Sequence, residues 1–252
     1  MEHPDLTYGS EEWKEARYEY VTATDIGKIL GVDTNISRKK LLELKVTRKE
    51  KDVSQFSRVL MDLGRGFESS AIRDFEKFYR SKYGAFEGRS PLFLFVHEKI
   101  PYFAGTPDFV IRSPVQKVVE IKCHFFPSVE TACPYYNEDE IPLKYYLQVQ
   151  GYLELMNLDE GVLFSWTLFN GFSVFRVVRD KFLWETIIMP HLDQFCEWMR
   201  KSAHSIESAA FLECQREARW KSREKEECAS HIYHSLVDHV KCVYRTNEFS
   251  GN

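Results

Sequence analysis

The chain has 252 residues, a formal net charge of −4 and a hydrophobic fraction of 44%, enough for a sizeable core. This charge argues against a uniformly basic nucleic-acid coat, although a local groove or a bound metal can still attract a polyanion. No apolar run is long enough for a transmembrane helix, and the first residues lack a secretion signal. The six cysteines include no CxxC pair, which suits a reducing compartment. We therefore expect an intracellular protein, in the cytoplasm or nucleus, with no membrane partner.

The N-terminal part of the chain reads as a loose segment followed by short helices. Residues 1–9 carry no clear helix or strand pattern. Ser10 is suited to be the N-cap of a first helix because its hydroxyl can accept a backbone N–H. A second helix over residues 25–30 ends at Gly31, and a third covers residues 38–45.

A longer helix is predicted over residues 55–81. Its apolar residues recur at helical spacing: Phe56, Leu60, Leu63, Phe67, Ala71, Phe75 and Phe78. Gly64 and Gly66 interrupt this pattern and indicate a close approach of another backbone. Glu68 follows them directly, and by itself it is equally a surface carboxylate or a functional one.

The central stretch from Gly105 to Cys123 reads as two adjacent strands joined by a short turn. Strands are also predicted at residues 92–96 and 102–105, and we expect the sequential strands to be antiparallel neighbours. In the last strand Glu120 and Lys122 share one face, because alternate side chains point the same way. Pairing across the turn would bring Asp108, at the start of the preceding strand, close to Glu120.

Such a grouping of charges predicts a metal site. Two close carboxylates raise each other's pKa, and a divalent cation that binds both removes the repulsion. Mg²⁺ prefers a few carboxylates together with waters, and Lys122 could orient or deprotonate such a water. The alternative is a half-exposed strand whose charges form surface ion pairs, since the D…ExK pattern is short and common.

The C-terminal half alternates between helices and a hairpin. A helix over residues 143–156 contains Gln148 and Gln150, and a glutamine on a helix is usually solvated. A hairpin over residues 162–178 turns at Asn-Gly. The last elements predicted are a helix over 180–201, which Pro190 must kink or divide, and a charged helical tail over 205–246.

Five motifs now stand in a fixed order along the chain: Trp13…Arg17…Val21-Thr22-Ala23-Thr24, Gly66-Phe67-Glu68, Gly105-Thr106-Pro107-Asp108, Glu120-Ile121-Lys122-Cys123 and Tyr145…Leu147-Gln148-Val149-Gln150. Together they resemble the YqaJ or lambda-exonuclease family of PD-(D/E)XK nucleases over about residues 11–180. The resemblance implies an α/β fold with a mixed sheet, built on a restriction-endonuclease-like core with N-terminal helices. It implies an exonuclease domain over residues 1–204, and residues 205–252 would be a C-terminal helical extension.

The resemblance also implies roles for the acidic site. Asp108 and Glu120 match the metal-binding carboxylates of the family, and Ile121 would offer its backbone carbonyl to the same ion. Glu68 matches a helix carboxylate that helps to hold a second metal. Lys122 matches the lysine that activates or positions the attacking water.

Further implied roles concern the neighbouring groups. Gln148 matches the first glutamine of the QxQ helix, beside the catalytic lysine, and Arg17, Thr24 and Thr106 match positions that bind a terminal 5′-phosphate. Ser128 stands where the lambda-type enzyme has an arginine for that phosphate. Strict dependence on a 5′-phosphate is therefore open.

The function that the resemblance implies is a metal-dependent 5′→3′ exonuclease on double-stranded DNA, in recombination or DNA end processing. Its cofactor would be Mg²⁺, with Mn²⁺ able to substitute. The alternatives are an endonuclease or alkaline nuclease that also cuts RNA, and a non-catalytic DNA-end binder. The implied partners are double-stranded DNA ends, a single-strand annealing protein and further copies of the chain, in a trimer by analogy with the lambda-type enzyme.

Overall fold

The computed structural model describes residues 2–49, 54–124, 137–202, 206 and 209–246. Ten strands within these ranges form two sheets, and helices cover both faces of the larger sheet. The mixed α/β class that the sequence predicts is therefore confirmed. Within the same ranges, no helix combines the length and the apolar composition that a membrane crossing requires.

The two sheets differ in size and strand direction. The strands are β1 (Glu2–Thr7), β2 (Val21–Thr22), β3 (Glu87–Arg89), β4 (Phe93–Val96), β5 (Phe103–Gly105), β6 (Phe109–Ser113), β7 (Lys117–His124), β8 (Glu160–Thr167), β9 (Gly171–Val178) and β10 (Val240–Arg245). The smaller sheet has the order β1-β4-β5-β2 and is antiparallel except between β5 and β2. The larger sheet has the order β10-β9-β8-β7-β6-β3, and only β7 and β8 are parallel.

The helices surround these sheets. They are α1 (Glu11–Glu19), α2 (Ile26–Ile29), α3 (Arg38–Thr47), α4 (Gln55–Tyr83), α5 (Leu143–Leu155), α6 (Lys181–Leu183), α7 (Met189–Lys201), α8 (Ala209–Glu217) and α9 (Ser222–His239). A π-helical turn, Trp184–Ile188, joins α6 to α7, and Pro190 lies in the first turn of α7. The predicted helix is therefore confirmed, and its geometry changes to a π-helical turn just before Pro190 instead of dividing into two separate helices.

Local sequence signals fix several helix ends. Ser10, Ser37 and Ser54 are the N-caps of α1, α3 and α4, and each hydroxyl accepts the backbone N–H three residues further on. After α2 the chain turns at Gly31, where φ is +74°, a value that glycine adopts without strain. The predicted first cap and the predicted end of the second helix are therefore confirmed.

Two apolar layers enclose the larger sheet. On one face, the ring of Phe75 from α4 makes edge-to-face contacts with Phe109 and Phe164. On the other face, α5 buries Leu147 in a second core together with Leu163 of β8. Because α4 and α5 cover opposite faces, polar side chains from both helices can meet at an edge of the sheet.

The N-terminal segment is a strand, so the prediction of a loose segment over residues 1–9 is wrong. β1 lies antiparallel to β4 at the edge of the smaller sheet. The pairing continues into the next turn, where the backbone N–H of Tyr8 donates to the carbonyl of Leu92 at 2.7 Å. The partner strand lies far along the chain, and a local pattern does not reveal such a pairing.

The sequential strands of the central region divide between the two sheets, which corrects the expectation that they are all neighbours. β4 and β5 pair with each other, and β6 pairs with β7, but β5 and β6 lie in different sheets. The chain crosses between the sheets at Thr106, Pro107 and Asp108. Proline has no N–H with which to continue a ladder, so it suits this crossing.

The glycines of α4 do not interrupt the helix, which runs without a break through Gly64 and Gly66. A Cβ atom built on Gly66 has no heavy atom of the described residues within 4 Å. The prediction of a close backbone approach is therefore wrong at Gly66. Burial of Ala71 and Phe75 further along the helix offsets the small cost of these glycines, about 1 kcal/mol each.

The sequence predicts a helical C-terminal segment over residues 205–246, but this segment also contains a strand. β10 extends the larger sheet by pairing antiparallel with β9. Before it, α9 buries Cys228, Ile232 and Leu236 in the same core as α5. At the other end of the segment, the guanidinium of Arg38 lies over the ring of Trp220, 4.3 Å from its centroid. The domain boundary at residue 204 stays a prediction.

A buried ion pair connects α3 to the turn after α1. The ammonium of Lys45 lies 2.7 Å from the Asp25 carboxylate, and both side chains are almost fully buried. The same ammonium donates to the backbone carbonyls of Arg17 at 2.5 Å and Tyr20 at 2.8 Å. Burial alone would raise the pKa of Asp25, but Lys28 and Lys45 outweigh it and hold that pKa well below its usual range.

Candidate active site

The candidate site lies where β6 begins beside β7. Phe109 pairs with Val119 in this antiparallel ladder, which sets Asp108 opposite Glu120 as the sequence predicts. The Asp108 carboxylate accepts the backbone N–H of Ile121 at 2.7 Å. This bond ties the crossing between the sheets to the strand that carries Glu120. Ile121 itself is buried on the α4 side, also as predicted.

Glu120, Lys122 and Gln148 form one hydrogen-bonded group on the α5 side of β7. The Lys122 ammonium donates to Glu120 Oε1 and, at 3.1 Å, to Gln148 Oε1. Gln148 Nε2 donates to the same Glu120 oxygen at 2.7 Å. Gln148 is buried rather than solvated, so the usual expectation for a helical glutamine is wrong here.

Gln150 is buried as well, but it serves another place. Its amide donates to the carbonyl of Val178 at 2.7 Å and accepts the N–H of Asp180 at 2.9 Å. It therefore fixes the end of β9 and does not contact Glu120 or Lys122. Of the two glutamines of α5, Gln148 therefore contacts the site and Gln150 supports the end of β9.

Glu68 reaches the same region from α4, on the opposite face of the sheet. Burial and then the nearby Asp108 carboxylate raise the pKa of Glu68 to about 7, and the charge of Lys122 acts in the other direction. The charges of Asp108 and Lys122 therefore reach Glu68, although no contact joins the Glu68 carboxylate to Asp108 or Glu120 among the described residues.

Burial is the main cause of the raised pKa values of the acids in this cluster. It raises the pKa of Glu120 to about 8, with a further contribution from Asp108, while Lys122 opposes the shift. Burial also raises the pKa of Asp108. For Lys122, burial by itself lowers the pKa, but Glu120 and Asp108 outweigh it and raise the value above normal. The lysine is therefore charged at neutral pH, and the acids hold protons unusually well.

The donor chemistry of the cluster fits a hard divalent cation. Within the part of the chain that the structure describes, Glu120 Oε2 is buried without a hydrogen-bond partner, and a buried carboxylate oxygen of this kind is costly unless a proton or cation neutralises it. The set of carboxylate oxygens and a backbone carbonyl matches what Mg²⁺ prefers. Yet among the described residues, no group of three His, Cys, Asp or Glu side chains is drawn together as around a bound ion. Here the Lys122 ammonium offsets part of the charge of Glu120 instead.

Replacing Glu120 by glutamine tests the raised pKa. The folded value of about 8 exceeds the ordinary 4.5, so the folded state binds the extra proton and loses stability as pH rises between these values. In EDTA we expect the unfolding free energy of Glu120→Gln to gain about 4 kcal/mol over the unchanged protein between about pH 5 and pH 9, since each pH unit between the two pKa values contributes about 1.4 kcal/mol. Urea denaturation measures this gain.

The control for that experiment is Glu87→Gln, at an exposed position of β3. This variant should show no gain with pH, because an exposed carboxyl on a short edge strand contributes little to stability. A Glu120→Gln gain no larger than that of Glu87→Gln would contradict the assignment of a protonated, buried carboxyl.

Two of the three residues expected at a terminal phosphate, Arg17 and Thr106, both contact Trp13. Trp13 links them, since its indole N–H donates to Thr106 Oγ1 at 3.2 Å and its ring lies 4.6 Å from the Arg17 guanidinium. Thr24 is exposed on the turn before α2. Ser128, which stands where the lambda-type enzyme has an arginine for the same phosphate, lies outside the described residues.

Sequence reasoning assigned no role to three aromatic residues at this site. Tyr145 places its ring 4.7 Å from the Lys122 ammonium, and Tyr152 donates to the carbonyl of Thr106. Both flank Gln148 at helical spacing, a signal that could have identified them. Tyr8 packs edge-on against Trp13, with ring centroids 4.9 Å apart. It directly follows β1, a strand that has no local sequence pattern, so no sequence signal marks this residue.

Known proteins resemble this chain in sequence pattern and in fold. The model of the YqaJ-like viral recombinase domain matches residues 12–158. No protein among the curated sequences matches the chain significantly.

Solved structures share the fold at low sequence identity. LHK-Exo, an alkaline exonuclease from Laribacter hongkongensis, has a TM-score of 0.53 at 20% identity over 83% of this chain and 98% of its own. Its complex with dAMP gives 0.58 at 19% identity over the same shares. A phage-related exonuclease from Haemophilus somnus 129PT gives 0.51 at 14% identity over 73% of this chain and 93% of its own.

These structures show that the chain shares the fold of these exonucleases. The family match covers α1 to α5 and so includes every residue of the cluster around Glu120. Because that match spans more than half of the chain, this protein belongs to the family of YqaJ-like viral recombinase domains.

Proposed function

We propose that this protein is a magnesium-dependent exonuclease that degrades double-stranded DNA from the 5′ end. The observation that carries the proposal is the hydrogen-bonded group of Glu120, Lys122 and Gln148 beside Asp108, in which one buried Glu120 oxygen has no hydrogen-bond partner among the described residues. Buried polar atoms without a partner are rare, and an oxygen of this kind is available to a metal ion.

Four groups of this chain would hold the metal: the carboxylates of Asp108, Glu120 and Glu68, and the backbone carbonyl of Ile121. Mn²⁺ accepts the same oxygen ligands and should substitute for Mg²⁺. When bound, such a cation polarises the phosphodiester and stabilises the leaving oxygen. A readout independent of turnover is thermal unfolding at alkaline pH, where Mg²⁺ should stabilise the unchanged protein but not Glu120→Gln.

Lys122 is suited to hold the attacking water in place. Its raised pKa keeps the ammonium charged, so it donates hydrogen bonds rather than removing a proton. Glu120 and Gln148 fix its position, and the ring of Tyr145 covers it. A fixed donor can orient a water oxygen and stabilise negative charge on the transferring phosphate.

Recognition of the strand end would fall to Arg17, Thr24 and Thr106. A guanidinium binds a terminal phosphate with two hydrogen bonds, and the Trp13 ring holds Arg17 in place beside Thr106. A site that binds the 5′-terminal phosphate blocks the path of the strand, which favours cutting from that end. LHK-Exo has been solved with dAMP, a deoxynucleoside monophosphate, and a nucleotide of this class fits such a site.

The test is a digest of linear duplex DNA labelled at either the 5′ or the 3′ end, with Mg²⁺ or with EDTA. We expect early release of the 5′ label as mononucleotides in Mg²⁺ and no release in EDTA. Early release of the 3′ label instead would contradict the proposed polarity.

Covalently closed circles separate the proposal from its closest alternative. An end-dependent enzyme leaves them intact, whereas cutting of closed circles, or equal cutting of RNA, would favour a broader alkaline nuclease. Binding of linear duplex without any hydrolysis would favour a DNA-end binder.

The trimer and the annealing-protein partner stay proposals. Sedimentation of the pure protein would test the trimer, and co-purification would test the partner.

Replacing Arg17 by alanine should reduce the preference for phosphorylated ends. We expect the ratio of rates on 5′-phosphorylated and 5′-hydroxyl duplexes to fall by about tenfold, because a charge-assisted hydrogen-bond pair contributes about 1.5–3 kcal/mol. The matched control is Arg48→Ala, whose side chain pairs with Glu15 and Glu19 on the surface. An equal ratio before and after the Arg17 change would remove Arg17 from the end site.

A further inference from the structure

Tyr152 lies one helical turn after Gln148 on α5 and is almost fully buried. Its hydroxyl donates to the backbone carbonyl of Thr106 at 3.1 Å and accepts from Gln148 Nε2 at 3.1 Å. The residue therefore connects the glutamine beside Lys122 with the crossing between the two sheets. Ordinary core packing does not require either bond.

The direction of these bonds fixes the orientation of the Gln148 amide. A phenolic hydroxyl has one hydrogen, and Tyr152 gives it to Thr106, so its oxygen can only accept from Gln148. Gln148 Nε2 consequently faces Tyr152 and Glu120, and Gln148 Oε1 faces the Lys122 ammonium. A flipped amide would place an oxygen against the Glu120 carboxylate and a donor against the ammonium.

The other end of the connection leads to the proposed end site. Thr106 is held on two sides, by the Tyr152 hydroxyl at its carbonyl and by the Trp13 indole at its side chain. Gly105 permits this approach, since a Cβ atom there would lie 2.8 Å from Tyr152 Cε1. The connected path is therefore Lys122, Gln148, Tyr152, Thr106 and Trp13, with Arg17 beside the indole.

We propose that Tyr152 is a positioning residue that couples occupancy of the end site to the placement of Lys122. The inference rests on the proposed nuclease function and deepens it. A phosphate held by Arg17 and Thr106 fixes the crossing, and Tyr152 passes that constraint to Gln148. The enzyme then hydrolyses a 5′-phosphorylated strand faster, in addition to binding it better.

The experiment compares Tyr152→Phe with Tyr146→Phe. Tyr146 is on the same helix and fully buried, but its hydroxyl bonds Ser235 Oγ at 2.6 Å on the side away from Glu120. Both variants lose one buried hydroxyl, so a purely structural effect should be similar in the two. Steady-state rates are measured with Mg²⁺ on linear duplexes that carry a 5′-phosphate or a 5′-hydroxyl.

For Tyr152→Phe we expect kcat on the phosphorylated duplex to fall about tenfold with KM within about twofold of the unchanged protein. The ratio of kcat on the two ends should fall as well, and Tyr146→Phe should change neither quantity. Equal kcat losses in both variants, or a Tyr152→Phe loss confined to KM, would overturn the inference.

A second measurement separates this inference from the proposed function. NMR of isotope-labelled glutamine side chains, with the Gln148 amide assigned by its absence in Gln148→Glu, reports the bond without turnover. In Tyr152→Phe the Gln148 amide signals should shift and exchange faster with solvent, whereas in Tyr146→Phe they should not. An unchanged Gln148 signal in Tyr152→Phe would overturn the inference. If the signal shifts in Tyr152→Phe as expected but the protein without substitutions cuts no DNA, only the nuclease proposal is overturned.

Discussion

Replacing Lys122 by alanine should lower kcat for DNA hydrolysis by about 10³-fold, within the range that a positioned proton donor or charged group contributes. The lysine serves the attacking water and the phosphate, and it lies against Glu120, Gln148 and the Tyr145 ring rather than on an open surface. DNA affinity in EDTA, measured by anisotropy of a labelled duplex, should stay within about threefold, because one buried ammonium adds little to phosphate contacts.

The matched control is Lys117→Ala, in the same strand. Lys117 pairs with Glu160 at the far end of β7 and does not contact the acids of the site. Its loss changes the net charge by the same amount but should leave kcat unchanged. A large loss of DNA affinity in Lys122→Ala would mean that the lysine binds the duplex and would contradict its proposed role.

Replacing Lys45 by methionine should lower the free energy of unfolding by about 3 kcal/mol, because removing one partner of a buried ion pair leaves the other uncompensated. Asp25 would retain only Lys28 as an ionic partner. The carbonyls of Arg17 and Tyr20 would lose their buried donor. Urea denaturation followed by tryptophan fluorescence measures the change.

Lys40→Met is the control on the same helix. Lys40 forms an exposed pair with Glu43, and such pairs contribute less than about 1 kcal/mol. The double variant Lys45→Met with Asp25→Asn should cost less than the sum of the single changes, since neither charge is then left alone. A Lys45→Met loss no larger than that of Lys40→Met would mean that water reaches this pair.

The predictable part of this fold was encoded locally. Three features depend only on neighbouring residues: the cap at Ser10, the Asn-Gly hairpin between β8 and β9, and the change of helical geometry just before Pro190. The opposition of Asp108 and Glu120 could also be read from the sequence, because two strands joined by a short turn fix their own register. Most of the candidate acidic site lies within that hairpin.

The unpredicted part depends on pairing between distant segments. β1 pairs with β4 and β10 with β9, and neither edge strand has a local pattern that names its partner. The crossing at Thr106 has no local signal for the same reason. The sequence pattern predicts consecutive antiparallel strands in one sheet, whereas β5 and β6 belong to different sheets. Helical spacing alone favours a solvated Gln148, because it does not show which face of the helix meets the sheet, and only the family resemblance placed this residue beside Lys122.

The sequence by itself determined the identity of the acids and the lysine, their strand register and their membership in a known family, because these follow from residue type and short-range spacing. Only the tertiary structure decided that Glu68 approaches from one face of the sheet and Gln148 from the other. It also decided that Tyr152 joins Gln148 to Thr106 and that Lys45 supports the turn behind Arg17. Burial and hydrogen bonding between distant segments arise only when the helices pack on the sheets, and these contacts shift the pKa values and fix the geometry of the site.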